Sequence, residues 1–216
     1  MKNKIKLIIF DLDGTLINSL KDITNALNYS LQQLHIHKFT PNQIKELIGG
    51  GVTKLIEKSL RKIDINNYEV RIPAKKFKEY YSEHCIDNTR LYPYVIQTLK
   101  KLKKYKKAVV SNKPEIFCKK ILKELNISEY FDIIVGGDTT KRKKPDPEPI
   151  IYVLNKLGIK REETVIVGDG ETDIEAGKKA KIKTIAVSYG FRKKEQLKEA
   201  DYLIDEIKEI LKILKI

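Results

Sequence analysis

Residues 4–16 read KIKLIIFDLDGTL. Lys6 to Phe10 is a short apolar run rich in strand-forming residues, the kind that becomes a buried strand. It stops at Asp11, and a second carboxylate, Asp13, follows two residues later with Gly14 and Thr15 behind it. Aspartate commonly caps turns, so this pair is either a turn or the start of a chemical site. The residues at the ends of the other strands decide between the two.

The chain has 216 residues, enough for one domain with a modest insertion and a sizeable core. Apolar residues make up 41% and charged residues 33%, the balance of a globular protein. No stretch approaches the roughly 20 apolar residues of a membrane span. The N-terminal apolar run is short and lacks a small-residue cleavage site, so it reads as a strand and not a signal peptide, and a cytoplasmic protein without membrane attachment is expected. Cys85 and Cys118 form neither a CxxC pair nor a zinc pattern, which suits thiols in a reducing compartment. The formal charge is +14, from 43 basic and 29 acidic residues. The lysines are spread along helical patterns without interleaved aromatics, so a solvated surface is expected and nucleic-acid binding is not. A monomer and a homodimer both fit this composition.

Further strand-like runs are Lys107 to Val110, Asp132 to Val135, Thr164 to Val167, Lys183 to Val187 and, more weakly, Tyr202 to Ile204. Helical patterns lie between the later runs: Pro114 to Leu125, Glu148 to Leu157 and Asp173 to Lys181. This alternation predicts an α/β fold, a Rossmann-like doubly wound parallel sheet with helices on both faces. From about Ile17 to Tyr92 the alternation breaks and no convincing strand appears. Ile23, Leu27, Leu31 and Leu34 have helical spacing, as do Leu47, Leu55, Ile56 and Leu60 around Gly49-Gly50-Gly51, and Pro73 to Tyr81 is a further helical stretch. An all-helical insertion is expected before a crossover helix at Val95 to Lys104.

Ligands of doubly wound sheets bind beyond the carboxyl ends of the strands. Asp11 and Asp13 follow the first strand; Ser111, Asn112 and Lys113 follow the second; Gly136, Gly137, Asp138 and the loop Lys143-Lys144-Pro145-Asp146-Pro147 follow the third; Gly168 to Asp173 follow the fourth. Each piece alone has an ordinary reading as a turn, a helix cap or a rigid loop. All of them on one sheet edge point to a site.

DLDGTL (11–16), VVSN (109–112), KKPDP (143–147) and GDGETD (168–173) resemble, in that order, the four motifs of the haloacid dehalogenase-like superfamily of aspartate-nucleophile phosphatases. Within it the chain most resembles bacterial phosphoglycolate phosphatases, through DLDGTLINS, IGGGVTKLIEKSL, AVVSNKP, YFDIIVGGD, KKPDPEP and SYG. The resemblance implies strand order 3-2-1-4-5-6, a core of residues 1–16 and 84–216, and a helical cap of residues 17–83. It implies hydrolysis of 2-phosphoglycolate to glycolate and phosphate, with Asp11 as nucleophile forming an aspartyl-phosphate and Asp13 as general acid and then base. Ser111 and Lys144 would hold the phosphoryl oxygens. Mg²⁺ would be bound by the Asp11 side chain, the Asp13 backbone carbonyl and Asp169, with Asp173 ligating directly, ligating through water or orienting other groups. Gly14, Thr15 and Asn112 would line the phosphate, Gly14 by letting backbone N–H groups approach it, and Gly50, Gly51 and Lys54 would reach from the cap to the substrate's other end.

The Gly triplet reads either as a helix break or as a loop closing on the substrate, in which case Lys54 would pair with the substrate carboxylate. Asp13 disfavours a dehalogenase, which has no alkoxide to protonate, and the Gly triplet lacks the neighbouring arginine of phosphosugar mutases. The same motifs serve other small phosphates, including pyrophosphate, sugar phosphates and nucleotides. A non-catalytic binding module of the same fold is the reading least suited to the intact Asp11, Asp13, Ser111, Lys144 and Asp169 set. Gly170, Asn18 and Lys181 depart from common family usage, where Ser or Thr, Asp and Gly are frequent. His35, His37 and His84 form no metal pattern.

Overall fold

The computed structural model describes residues 4–36, 38–66 and 68–215; His37 lies outside them. Along the chain run β1 (Leu7–Phe10), β2 (Ile17–Asn18), α1 (Leu20–Leu31), α2 (Pro41–Ile44), α3 (Val52–Arg61), α4 (Arg71–His84) and β3 (Arg90–Leu91). Then come α5 (Val95–Lys101), β4 (Lys106–Val110), α6 (Glu115–Glu124), β5 (Ile133–Val135), α7 (Glu148–Leu157), β6 (Thr164–Gly168), α8 (Glu171–Ala180), β7 (Lys183–Val187), β8 (Tyr202–Ile204) and α9 (Ile210–Leu214).

Because β1 is apolar at every position, it is buried on both faces and sits in the middle of the sheet. Leu7 and Ile9 pack with Ile150 and Val153 of α7 and Ala176 and Ala180 of α8; Ile8 and Phe10 face the opposite layer, with Leu99 of α5, Ile121 of α6 and Ile210 of α9. The sheet order is β5-β4-β1-β6-β7-β8, every pair parallel. Numbered within this sheet alone, that is the expected 3-2-1-4-5-6. The chain therefore leaves β1 at the point where strand order reverses, between β4 and β6, and that is where the residues after β1 open toward a ligand.

Helices α1 to α4 lie between β1 and the crossover helix α5, but the stretch is not strandless as expected. Ile17 pairs with Leu91 and Asn18 with Arg90 in an antiparallel two-stranded ribbon. Two-residue strands leave no alternating pattern in a sequence, so pairing across the intervening residues 19–89 was not legible. Beside the ribbon, the buried carboxylate of Asp22 accepts hydrogen bonds from the backbone N–H groups of Asn88 and Thr89, the Asn88 amide and the Thr89 hydroxyl. This ties the start of α1 to the return crossing. Leu34 and Leu47 fall in 3₁₀ turns outside α1 and α3, and α5 stops at Lys101. Both cysteines are buried free thiols, and His84 pairs with Asp87 at 2.9 Å. Among the described residues no helix is long and apolar enough to cross a membrane.

One helix boundary matters for the site. The sequence pattern predicts a helix from Asp173, but α8 begins at Glu171, so Asp173 lies in its first turn with its carboxylate accepting from the Gly170 N–H at 3.2 Å. At the other end Lys181, not the usual glycine, takes the left-handed position with φ 59°. A side chain there costs about 1–2 kcal/mol, part of which glycine returns as unfolded-state entropy. Lys181→Gly should stabilise the fold by about 0.5–1 kcal/mol, measured as a higher denaturant midpoint at unchanged m-value.

Candidate active site

The centre of the site is a buried ammonium. Lys144, on the loop between β5 and α7, is 3% exposed, donates to the Val110 carbonyl at 2.6 Å and to Asp173 Oδ1 at 2.5 Å, and forms an ion pair with Asp11 Oδ1 at 2.9 Å. Burial disfavours its charge, but Asp11 and Asp173 outweigh that and hold its pKa above the ordinary lysine value. A buried charge with this complete a set of partners is fixed in place. Ser111, at the end of β4, is also buried, anchored by its N–H to the Val135 carbonyl at 3.0 Å.

Asp11, Asp169 and Asp173 each offer an oxygen within 4.8 Å of the others. Burial, then repulsion from Asp11 and Asp173, pushes the Asp169 pKa well above the usual carboxylate range. Asp169 Oδ2 accepts the Phe191 N–H at 2.7 Å, which aims the carboxylate and leaves its other oxygen available. Asp11 Oδ1, although within ion-pair distance of Lys144, is a buried oxygen without a hydrogen bond. A tight, buried, oxygen-only cluster whose negative charge one lysine does not balance fits a hard divalent cation. Asp173 differs from the other two: Lys144 and the Gly170 N–H occupy both of its oxygens.

Gly14 takes part differently from expectation. Its N–H donates to the Ile17 carbonyl at 2.8 Å, and those of Thr15 and Leu16 return to the Leu12 carbonyl, so none of these groups is free for a phosphate. The glycine is needed for two other reasons: φ is 87°, and a Cβ would stand 2.1 Å from Asp169 Oδ2. Thr15 is fully buried, outside the cavity lining. Tyr189, just before Gly190, donates its hydroxyl to the Thr15 carbonyl at 2.8 Å.

Asp13 has company that its motif does not announce. Ser19 donates to Asp13 Oδ1, and the Lys113 ammonium lies 2.9 Å from the same oxygen. Lys113 also hydrogen-bonds the hydroxyl of Tyr81 from α4 and sits 4.5 Å from the centre of that ring. Burial pushes the Tyr81 phenol well above its ordinary value, so it keeps its proton.

These groups line a cavity of about 60 Å³ between the sheet edge and the insertion, room for roughly five water molecules on the scale at which one occupies ~10–15 Å³. Its charged floor is Asp11, Asp13, Lys113, Lys144, Asp169 and Asp173; its apolar wall includes Leu55, Phe77 and Phe117. Gly49 and Gly51 form part of its roof, with φ 116° and 85°, values that side chains rarely adopt. Two core side chains grip this roof. Asn112 Nδ2 donates to the Gly49 carbonyl at 2.7 Å and to the Lys144 carbonyl at 2.8 Å. Arg192 donates to the Lys45 carbonyl at 3.2 Å and to the Ile48 carbonyl, while its Nε holds Glu171 at 2.9 Å. Arg192 follows no recognisable motif, and nothing in the sequence pairs it with residues 144 or more positions earlier. Gly50 and Lys54 are outside the lining: Lys54 is exposed, its stem folded over Gly50. Lys143 stands at the roof edge, its pKa lowered by burial and by the charges of Lys54 and Lys78, so the rim is positive.

The family model of the haloacid dehalogenase-like hydrolases matches residues 8–187. The phosphoglycolate phosphatase of Aquifex aeolicus is 45% identical over 191 residues, covering 88% of this chain and 87% of the relative. That of Haemophilus influenzae is 33% identical, covering 99% of this chain and 100% of the relative. A crystal structure from Haemophilus somnus, described as a predicted phosphoglycolate phosphatase, superposes with a TM-score of 0.89 at 31% identity over 99% of both chains. Fold and site together define a phosphoric monoester hydrolase on a doubly wound sheet. The chain belongs to the haloacid dehalogenase-like hydrolase family.

Arg192→Ala removes the donors that hold the Lys45 and Ile48 carbonyls. Deuterium uptake over residues 45–51 should rise, and KM should increase about tenfold, the worth of two charge-assisted hydrogen bonds at a partly exposed contact. Unchanged exchange at those amides would mean that the roof is held without it.

Proposed function

We propose that this enzyme hydrolyses 2-phosphoglycolate to glycolate and phosphate through an aspartyl-phosphate on Asp11. The observation that carries this reading is the small cavity of about 60 Å³, walled by Leu55, Phe77 and Phe117, with Lys113 and Lys144 set among the aspartates of its floor. A compact dianionic or trianionic ester suits that space and charge, and a nucleoside does not. The phosphoglycolate phosphatases among its relatives support the same substrate.

In this reading residues 17–83 act as a cap over a core of residues 1–16 and 84–216, and Mg²⁺ is the cation for Asp11, the Asp13 carbonyl and Asp169. When bound, the ion neutralises charge between the nucleophile and the phosphoryl oxygens. Asp11 attacks phosphorus and the ester P–O bond breaks. Asp13 gives its proton to the departing glycolate oxygen, and Lys113 stabilises the carboxylate that remains. Asp13 then takes a proton from water as that water attacks phosphorus, which frees phosphate and restores the Asp11 carboxylate. Ser111 holds the phosphoryl oxygens in both steps, and the Lys144 charge, fixed 2.9 Å from Asp11, offsets the negative charge gathered there. Asp173, with both oxygens engaged, orients Lys144 and the Gly170 turn. The Gly49 to Gly51 roof excludes bulk water and must open for product to leave. The positive rim of Lys54, Lys78 and Lys143 draws the anion in.

Phosphate release from 2-phosphoglycolate, pyrophosphate, glycerol phosphates, sugar phosphates and nucleotides, with Mg²⁺ and with chelator, tests this. Wild type should prefer 2-phosphoglycolate and require the metal, and Asp11→Asn should lose at least about 10⁴-fold in kcat, the scale at which removal of a nucleophile acts. A pyrophosphate-led profile that Asp11→Asn still abolishes would overturn the substrate and keep the mechanism.

A further inference from the structure

Four cations border or overhang the catalytic floor; two are spent and a third stands outside it. Lys144 is saturated by Val110, Asp11 and Asp173; Arg192 is taken by Glu171 and the roof carbonyls; Lys143 stands outside the lining, at the rim. Lys113 is the exception. An ammonium has three donors, and only Asp13 and the Tyr81 hydroxyl accept from this one among the described residues. Tyr81 in turn accepts from Lys113, and its own O–H donates to no described group. Both side chains are buried and both line the cavity. Two donors, one of them charged, are thus left beside Asp13 with no protein acceptor, where an unmatched polar group is costly.

The position has a chemical meaning. Asp13 must reach the ester oxygen that leaves. In a 2-phosphocarboxylate the carboxylate carbon is attached to the carbon bearing that oxygen. A substrate placed for proton transfer from Asp13 therefore carries its second anion into the neighbourhood of the group that Asp13 already touches, 2.9 Å away: the Lys113 ammonium. Without that cation, the substrate carboxylate would meet the Asp13 carboxylate unscreened. Lys54, the candidate from sequence, is exposed and folded over Gly50.

We propose that Lys113, with the Tyr81 hydroxyl beside it, is the carboxylate-recognising subsite, and that the pair selects phosphate esters bearing a carboxylate next to the ester carbon. Lys113 comes from the core and Tyr81 from α4 of the insertion, so the subsite is complete only when the two parts are together. This rests on the substrate reading above.

The test is the ratio of kcat/KM for 2-phosphoglycolate to kcat/KM for ethyl phosphate, which has the same ester oxygen and no carboxylate. The ratio within one preparation is independent of how much of it is folded. It should fall about a hundredfold in Lys113→Met and about tenfold in Tyr81→Phe, the range over which an unmatched polar contact discriminates substrates. A role confined to Asp13 would lower both substrates alike and leave the ratio untouched; that result overturns the proposal and leaves the substrate reading standing. Should Lys113→Met not fold, the Tyr81→Phe ratio decides in the same way. A wild-type enzyme with no preference for 2-phosphoglycolate over ethyl phosphate overturns the substrate reading, and the subsite with it.

Discussion

Three carboxylates within 4.8 Å of one another, two of them buried and one half-buried, are an electrostatic liability, and the Lys144 ammonium is what makes the arrangement possible in the folded protein. It bridges Asp11 after β1 and Asp173 in the first turn of α8, and its third donor grips the Val110 carbonyl at the end of β4. Three strand ends are thereby pinned through one atom. The balance is deliberately incomplete: Asp169 remains raised by burial and by its neighbours, so the cluster retains a demand for a cation.

The sheet makes this geometry cheap to reach. β1 is buried on both faces because every residue in it is apolar, and a strand with no polar face has nowhere to go but the centre. The residues that follow it then emerge at the switch point, next to the ends of β4 and β6. Close packing does the rest. Gly14 and Gly190 lack side chains where a Cβ would strike Asp169, so the loop after β1 and the loop after β7 close on that aspartate from two sides. The shortness of these approaches explains why the motif carries glycine beside its carboxylates, a reason distinct from phosphate contact.

Much of this was legible in the sequence, because strand runs and strand-end motifs are local. β7 and β8 and helix α7 have the limits their patterns predict, and the sheet order is the one the family resemblance implied. What was not legible is what depends on distant pairing. The β2–β3 ribbon is too short to have a period. Arg192 meets the Lys45 and Ile48 carbonyls, and backbone acceptors leave no trace in residue identity. Lys113 was visible directly after Ser111 and Asn112, but its importance depends on Tyr81, a residue whose helical spacing marks it as core and nothing more. Lys54 shows the converse error. A lysine beside a glycine loop looks like a ligand until the stem is seen lying over Gly50.

The division of the site between core and insertion has a physical consequence. The groups to which the proposed reaction gives the phosphoryl transfer lie just after β1, at the end of β4 and on the loop after β5, whereas the apolar wall of Leu55 and Phe77 and the Tyr81 hydroxyl come from α3 and α4. The roof between them is held to the core by hydrogen bonds from Asn112 and Arg192 to backbone carbonyls, contacts that exchange readily with water and cost little to break. Chemistry is thus placed where displacement would be ruinous, and selection where displacement is required for entry and release. Lys113 stands on the boundary. It pairs with Asp13 on one side and with Tyr81 of α4 on the other, so in the proposed reaction closure of the roof and completion of the subsite beside Asp13 are one event.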